Sequence, residues 1–371
     1  MKILLPFVGD SIGGSHLSSI ELYKSLVENG YEVLALLHNE NGPLSKVFNE
    51  NNIEYYELPT SFLAGESPKK IMIVFGIIKN IIPFVKFIKN NNIDVVHGND
   101  LRINLTWSVA AKAAQVKYIW HQRTLLSNSY LWKFIPFLCS HFIAISQAVL
   151  ESAPKNLNSK KTSLIYNPFD TSMKFNSLKC RQGIIKQCCI NNNPIILGYV
   201  GRLVHYKNVD FLIKCLHDLI YIHHKNLHLL IVGTGSEDYV SHLKEIVNEI
   251  GLIDNVTFSG FSSNPLELIS GIDILIASST VDAFGRSIVE AMLQSTPVLV
   301  ANKGGHLEIV IDGHTGIFYQ ANNQESFISK ALGLIDSDSL RKSIANSALE
   351  VNIDKYSRER HFLLIEEIYN S

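Results

Sequence analysis

The chain has 371 residues, 46% of them hydrophobic and 18% charged, with a formal net charge of −1. That length exceeds what one core usually fills, the composition is too apolar for disorder, and the charge gives no global case for nucleic-acid binding. Its five cysteines form no CxxC pair, which argues against a zinc ribbon or a disulfide framework and fits a reducing, cytoplasmic location.

Taken in chain order, Lys2–Val8 is an apolar strand, too short for a signal peptide, and no apolar run reaches membrane-spanning length. Gly13-Gly14 then opens a helix over His16–Asn29, which Gly30 closes. A glycine pair there lets backbone N–H groups approach a phosphate, or simply makes a tight turn. Tyr31–Leu37, Ile53–Leu58, Ile93–His97, Lys117–His121 and Phe142–Ile145 are predicted strands with helical patterns between several of them. This βαβ alternation predicts a parallel sheet covered on both faces. His97, Asp100, His121 and Asn167 fall at or just after strand ends. Between two of these strands, residues 69–89 combine lysines with large apolar side chains and no acid. The segment is a core helix with its lysines reaching out to water, or a helix that also lies on an anionic bilayer.

Residues 179–193 end in an Asn run before Pro194 and are predicted to link two domains. The strand–helix alternation resumes beyond them, with Ile195–Val200, Leu227–Val232, Asn255–Phe258, Ile274–Ala277, Pro297–Ala301 and Gly316–Tyr319 as strands. The first of these ends at Gly201, and Arg202 and Lys207 share the loop before the next helix, with Asn208 and Asp210 as candidate helix caps. Two cations in one such loop can hold a diphosphate without a metal ion. Gly233 and Gly235 imitate the start of a dinucleotide fingerprint, but Asp238 stands where its third glycine belongs, which argues against a dehydrogenase. Asp282 lies in the loop after the strand Ile274–Ala277, and Gly285 opens a helix from about Arg286 to Leu293 that carries Glu290. In open α/β sheets, ligands bind at that carboxyl end of the strands. The segment Glu359–Tyr369 is predicted as a final amphipathic helix.

The loop Gly201–Asn208 and the segment Asp282–Glu290, with Gly304-Gly305 and Gly313–Gly316 after it, resemble the retaining glycosyltransferases of family 4 (glycosyl transferases group 1). The resemblance spans nearly the whole chain and implies the GT-B fold: two α/β, Rossmann-like domains facing across a cleft, with the last helix crossing back to the N-terminal domain. The expected boundaries are 1–178 for an acceptor-binding domain, 179–193 for the linker, 194–355 for a nucleotide-sugar-binding domain and 356–371 for the returning helix.

The implied activity is transfer of a hexose-type sugar from a nucleotide-sugar donor, UDP-linked before GDP-linked, to a glycan or lipid-linked acceptor. No cofactor and no metal is expected. An epimerase of the same fold, or a non-catalytic nucleotide-sugar-binding protein, is the alternative. Carried over residue by residue, the resemblance assigns the departing diphosphate to Arg202 and Lys207 and the donor sugar to Asp282 and His121. It assigns the ribose to Glu290. Gly14, Gly201, Gly233, Phe284, Gly285 and Arg286 complete the expected donor site. The sugar contact at Asp282 is thus expected to be separate from the phosphate clamp. The family has Glu where this chain has Asp282, a difference of one methylene. Family members that extend lipid-linked glycans often touch membranes with the N-terminal domain, so for residues 69–89 contact with the inner face of the cytoplasmic membrane stays open beside the core-helix reading.

Overall fold

A computed structural model describes residues 1–60, 63 and 70–371. The chain forms two compact units, one of Met1–Asp170 with Tyr356–Ser371 and one of Thr171–Lys355. Among the described residues the first unit has seven strands: β1 Lys2–Phe7, β2 Glu32–Leu37, β3 Tyr55–Glu57, β4 Val95–Gly98, β5 Lys117–Gln122, β6 His141–Ala144 and β7 Thr162–Leu164. They pair in parallel in the order β3-β2-β1-β4-β5-β6-β7. The second unit has six, β8 Ile195–Val200, β9 Leu227–Val232, β10 Val256–Gly260, β11 Ile274–Ala277, β12 Val298–Ala301 and β13 Ile317–Tyr319, in the order β10-β9-β8-β11-β12-β13.

These orders matter for function. In each sheet the winding reverses beside the unit's first strand, between β1 and β4 and between β8 and β11. The loops leaving the carboxyl ends of such neighbours diverge to opposite faces and open a crevice for ligands. In the second unit those loops are the ones after Val200 and after Ala277, which carry the predicted site residues. Strand β9 is buried along its whole length and β8 at its four central residues, as strands covered on both faces must be.

The final helix, Arg358–Asn370, belongs to the first unit. Phe362, Ile365, Ile368 and Tyr369 enter the same core as Ile3, Leu5, Phe7 and Leu26. Each large apolar side chain buried in this way contributes about 1.5–3 kcal/mol, so the helix is integral to that unit. The crossing-back expected of the GT-B fold is therefore present.

Two local expectations are corrected. The segment expected as linker, 179–193, carries most of the helix Ser177–Gln187, which Asn176 caps through Lys179 N–H and which buries Cys180 and Ile184 in the second unit. Its polar, Asn-rich end hid an amphipathic start. Asn208 does precede the helix Val209–Tyr221, but in a left-handed conformation and with no side-chain cap; its amide donates to Asn322 Oδ1 at 2.9 Å instead. Asp210 accepts from the Tyr239 hydroxyl at 3.4 Å.

Candidate active site

At the carboxyl ends of β8 and β11, two loops of the second unit are held together by backbone groups. Lys207 closes a turn of 3-10 helix, His205–Lys207, and its carbonyl accepts from Ser278 Oγ at 2.7 Å. Thr280 N–H donates to the Tyr206 carbonyl at 3.0 Å. The loop after β8 is thereby stitched to the loop after β11. Its other side is tied to the loop after β9, where Leu203 N–H donates to Thr234 O at 2.8 Å. At Gly233, φ is +139° and a Cβ would overlap the Gly201 carbonyl oxygen, so glycine is required there.

This stitching brings Lys207 Nζ within 2.5 Å of Asp282 Oδ2. His306 Nε2 faces the same oxygen at 3.4 Å, while its Nδ1 bonds the Ala301 carbonyl at 3.0 Å. Burial would push the Asp282 carboxyl up, but the His306 hydrogen bond and the Lys207 charge outweigh it and hold the group below the usual carboxylate range. The group is therefore an anion near neutral pH. Oδ2 takes both partners, and Oδ1 has no protein partner among the described residues. One oxygen fixes the side chain and the other can accept from a ligand hydroxyl. This corrects the expected separation of Asp282 from the clamp lysine: the two are directly paired.

Arg202 is exposed, and its Nη2 donates to the Tyr206 hydroxyl at 2.7 Å; Lys207 Nζ lies 5.9 Å from the centre of the same ring. Tyr206 thus gathers both predicted cations. Beyond Asp282, Gly285 (φ +114°) opens the helix Arg286–Leu293 without a side-chain cap, and its carbonyl accepts from Ile288 N–H at 3.1 Å. Glu290 is buried one turn along, where its Oε1 accepts from Arg286 Nη2 at 3.2 Å. Phe284 is buried, and its backbone packs against Gly305: a Cβ on Gly305 would sit 2.6 Å from Phe284 Cα. Gly304 approaches the Asp282 backbone in the same way, at 2.6 Å from its carbonyl oxygen. The glycine pair lets the 304–308 turn close on the loop after β11 and brings His306 to Asp282. Sequence reasoning noted Gly304 and Gly305 but passed over His306. The signal was a histidine directly after a glycine pair.

In the first unit, Gly14 begins the helix Gly14–Glu28 after an uncapped Gly13, at the carboxyl end of β1. Asp100 caps the helix Leu101–Ala114 through Arg102 and Ile103 N–H groups, and Arg102 holds Asp10 with two bonds of 2.6 and 2.8 Å. His121 lies within β5, fully buried beside His97, and Asn167 accepts from Arg123. Among the described residues no group of His, Cys, Asp and Glu is arranged to hold a metal ion.

Comparison with known proteins identifies the family and the fold. A model of Glycosyltransferase Family 4 matches residues 12–173, and one of Glycosyl transferases group 1 matches residues 181–351. An uncharacterised glycosyltransferase of Methanocaldococcus jannaschii is 28% identical over 55% of this chain; the chain spans about half (56%) of that relative's length. The capsular polysaccharide biosynthesis glycosyltransferase CapM of Staphylococcus aureus is 24% identical over 65% of this chain and 64% of its own. The crystal structure of HepE from Anabaena, in complex with UDP and glucose, superposes with a TM-score of 0.85 at 23% identity, covering 100% of both chains. The two family models cover both units, and the chain belongs to the family 4, group 1 glycosyltransferases of GT-B fold.

Proposed function

We propose that the chain is a retaining, metal-independent hexosyltransferase. Its donor is a nucleotide sugar, UDP-linked before GDP-linked, and its acceptor is a hydroxyl of a glycan or lipid-linked oligosaccharide in bacterial surface polysaccharide synthesis. The observation that carries this reading is the pairing of Lys207 with Asp282 at the carboxyl ends of β8 and β11. A cation for the diphosphate and an anion for the sugar hydroxyls stand side by side, as a nucleotide sugar presents those groups. The names of CapM and the UDP–glucose complex of HepE support the choice of pathway and base.

On this reading the bond from the anomeric carbon to the diphosphate breaks while the acceptor oxygen bonds that carbon on the same face. The acceptor's proton passes to the departing phosphate oxygen. Lys207 and Arg202 stabilise the charge that develops there, with the uncapped helix start at Gly285 adding to it. A unit charge about 4 Å from a phosphate oxygen gains on the order of 4 kcal/mol at an intermediate dielectric. Two such groups can replace a metal ion. Glu290 takes the ribose, and Gly201, Gly233, Phe284 and Arg286 shape the loops around the nucleotide. In the first unit, Gly14 and His121 are the residues proposed to contact the donor.

A thermal-shift panel of UDP- and GDP-sugars should single out one UDP-hexose. With that donor, nucleoside diphosphate should be released only when acceptor is present, and release should continue in excess chelator. Sugar isomerisation without an acceptor would make the chain an epimerase, and transfer abolished by chelator would overturn the metal-free clamp.

We also propose that the protein works at the inner face of the cytoplasmic membrane. No helix among the described residues is long and apolar enough to cross a membrane. The helix Lys70–Asn90 buries Phe84 and Ile88 in the core, yet Ile78 and Ile82 are 62% and 79% exposed beside the exposed Lys79, Lys86 and Lys89. Lys69, at the start of the predicted segment, lies outside the described residues. Vesicles rich in anionic lipid should sediment the protein at low salt and release it at moderate salt. No sedimentation at low salt would reduce this helix to a core element.

A further inference from the structure

The first unit contains a buried chain of hydrogen bonds. The hydroxyl of Tyr369, in the last helix, meets His97 Nδ1 at 2.6 Å, and His97 Nε2 meets His121 Nδ1 at 3.1 Å. All three side chains are buried. Distances alone leave the direction of such a chain open, because each neutral imidazole has two tautomers.

Arg123 removes the ambiguity. Its Nη2 lies 3.4 Å from His121 Nδ1, and a guanidinium can only donate. The guanidinium is itself fixed by Asn99 Oδ1, at 2.9 and 2.7 Å, and by Asn167 Oδ1, at 2.5 Å. His121 Nδ1 therefore accepts, His97 Nε2 donates, and His97 Nδ1 accepts from the Tyr369 hydroxyl. The proton of His121 is left on Nε2, which is buried with no protein partner among the described residues. A buried donor in that condition is costly, and an oxygen arriving with a ligand relieves the cost.

Charge agrees with geometry. Burial, and after it the Arg123 charge, drives His97 and His121 well below the usual imidazole range. The same two causes bring His361 down to about 3; its ring is nearly parallel to that of His121, with centres 6.1 Å apart. Neutral rings carry one proton each, so which nitrogen holds it decides what His121 can do.

We propose that Tyr369 and His97 are positioning residues that hold His121 in its Nε2–H tautomer, so that it offers a hydrogen-bond donor to a sugar hydroxyl oxygen. This deepens, and rests on, the reading of His121 as a donor-sugar contact. The tautomer can be measured with no substrate at all, so the two ideas fail separately.

Long-range nitrogen–proton NMR on the full chain with labelled histidines should show His121 as the Nε2–H form, its signals identified by their loss in His121→Gln. Tyr369→Phe keeps the ring and removes only the hydroxyl; it should shift the tautomer ratios of His97 and His121 by about three- to tenfold, the worth of one hydrogen bond. His97→Gln, whose amide can still donate, should preserve the His121 form, and His97→Leu should lose it. An Nδ1–H form of His121 in the wild type would overturn the proposal. So would unchanged ratios in Tyr369→Phe. Undiminished sugar transfer by His121→Ala would instead remove the sugar contact and leave the tautomer assignment standing.

Discussion

Replacing Lys207 with Ala should lower sugar transfer by roughly two to three powers of ten, the scale of losing one electrostatic stabiliser of a developing oxyanion. The fold should survive, because it is the backbone of residue 207 that holds the loops together, through its carbonyl to Ser278 and its N–H to Val204 O. The side chain has two jobs on the reading above. It neutralises the departing diphosphate, and it steadies Asp282 through the 2.5 Å pair. Nucleoside diphosphate affinity should therefore fall together with the rate. Steady-state transfer, diphosphate calorimetry and a melting curve check the three statements. Near-normal transfer by a folded variant would remove Lys207 from the mechanism.

Asp282→Ala should abolish transfer while diphosphate binding is kept or becomes several-fold tighter. Were the two residues apart, binding would merely be unaffected. Because Asp282 shares its Oδ2 with Lys207, its removal frees a neighbouring cation, and a charge about 4 Å from a phosphate gains on the order of 4 kcal/mol before solvent screening. Asp282→Glu should also be slower than wild type, although Glu is the usual family residue. The longer side chain moves the carboxylate by about 1.5 Å, the length of one carbon–carbon bond. Lys207 and His306 are set for the shorter reach, and Gly304 is packed on the residue's own backbone, so the loop cannot retreat. Full activity in Asp282→Ala would mean the sugar site lies elsewhere.

Much of this architecture was legible in the sequence, for a physical reason. Strands buried on both faces read as continuous apolar runs, and β8, β9 and β11 stand at the residues predicted for them. The helix Arg286–Leu293 was equally plain, because Gly285 marks its start and the apolar residues that follow recur at helical spacing. β7, Thr162–Leu164, was not predicted: three residues at a sheet edge with one apolar side chain leave no periodicity to detect. The pairing of Lys207 with Asp282 was hidden for another reason. It depends on β11 lying beside β8 although β9 and β10 come between them in the chain. No local pattern encodes that neighbourhood. Likewise the partners of His121 come from β4 and from the last helix, which only the folded chain brings to β5.

The return of the last helix to the first unit also has a consequence for how the protein is made. The core around Ile3 and Leu26 needs Phe362, Ile365 and Tyr369, yet Thr171–Lys355 must be translated in between. At about 5–20 residues per second, that leaves the nascent first unit open for roughly 10–40 s after its own strands have emerged. During that interval an apolar seam is exposed to solvent, and a chaperone has something to hold. A premature stop ahead of the helix Arg358–Asn370 would therefore damage the domain that was synthesised first.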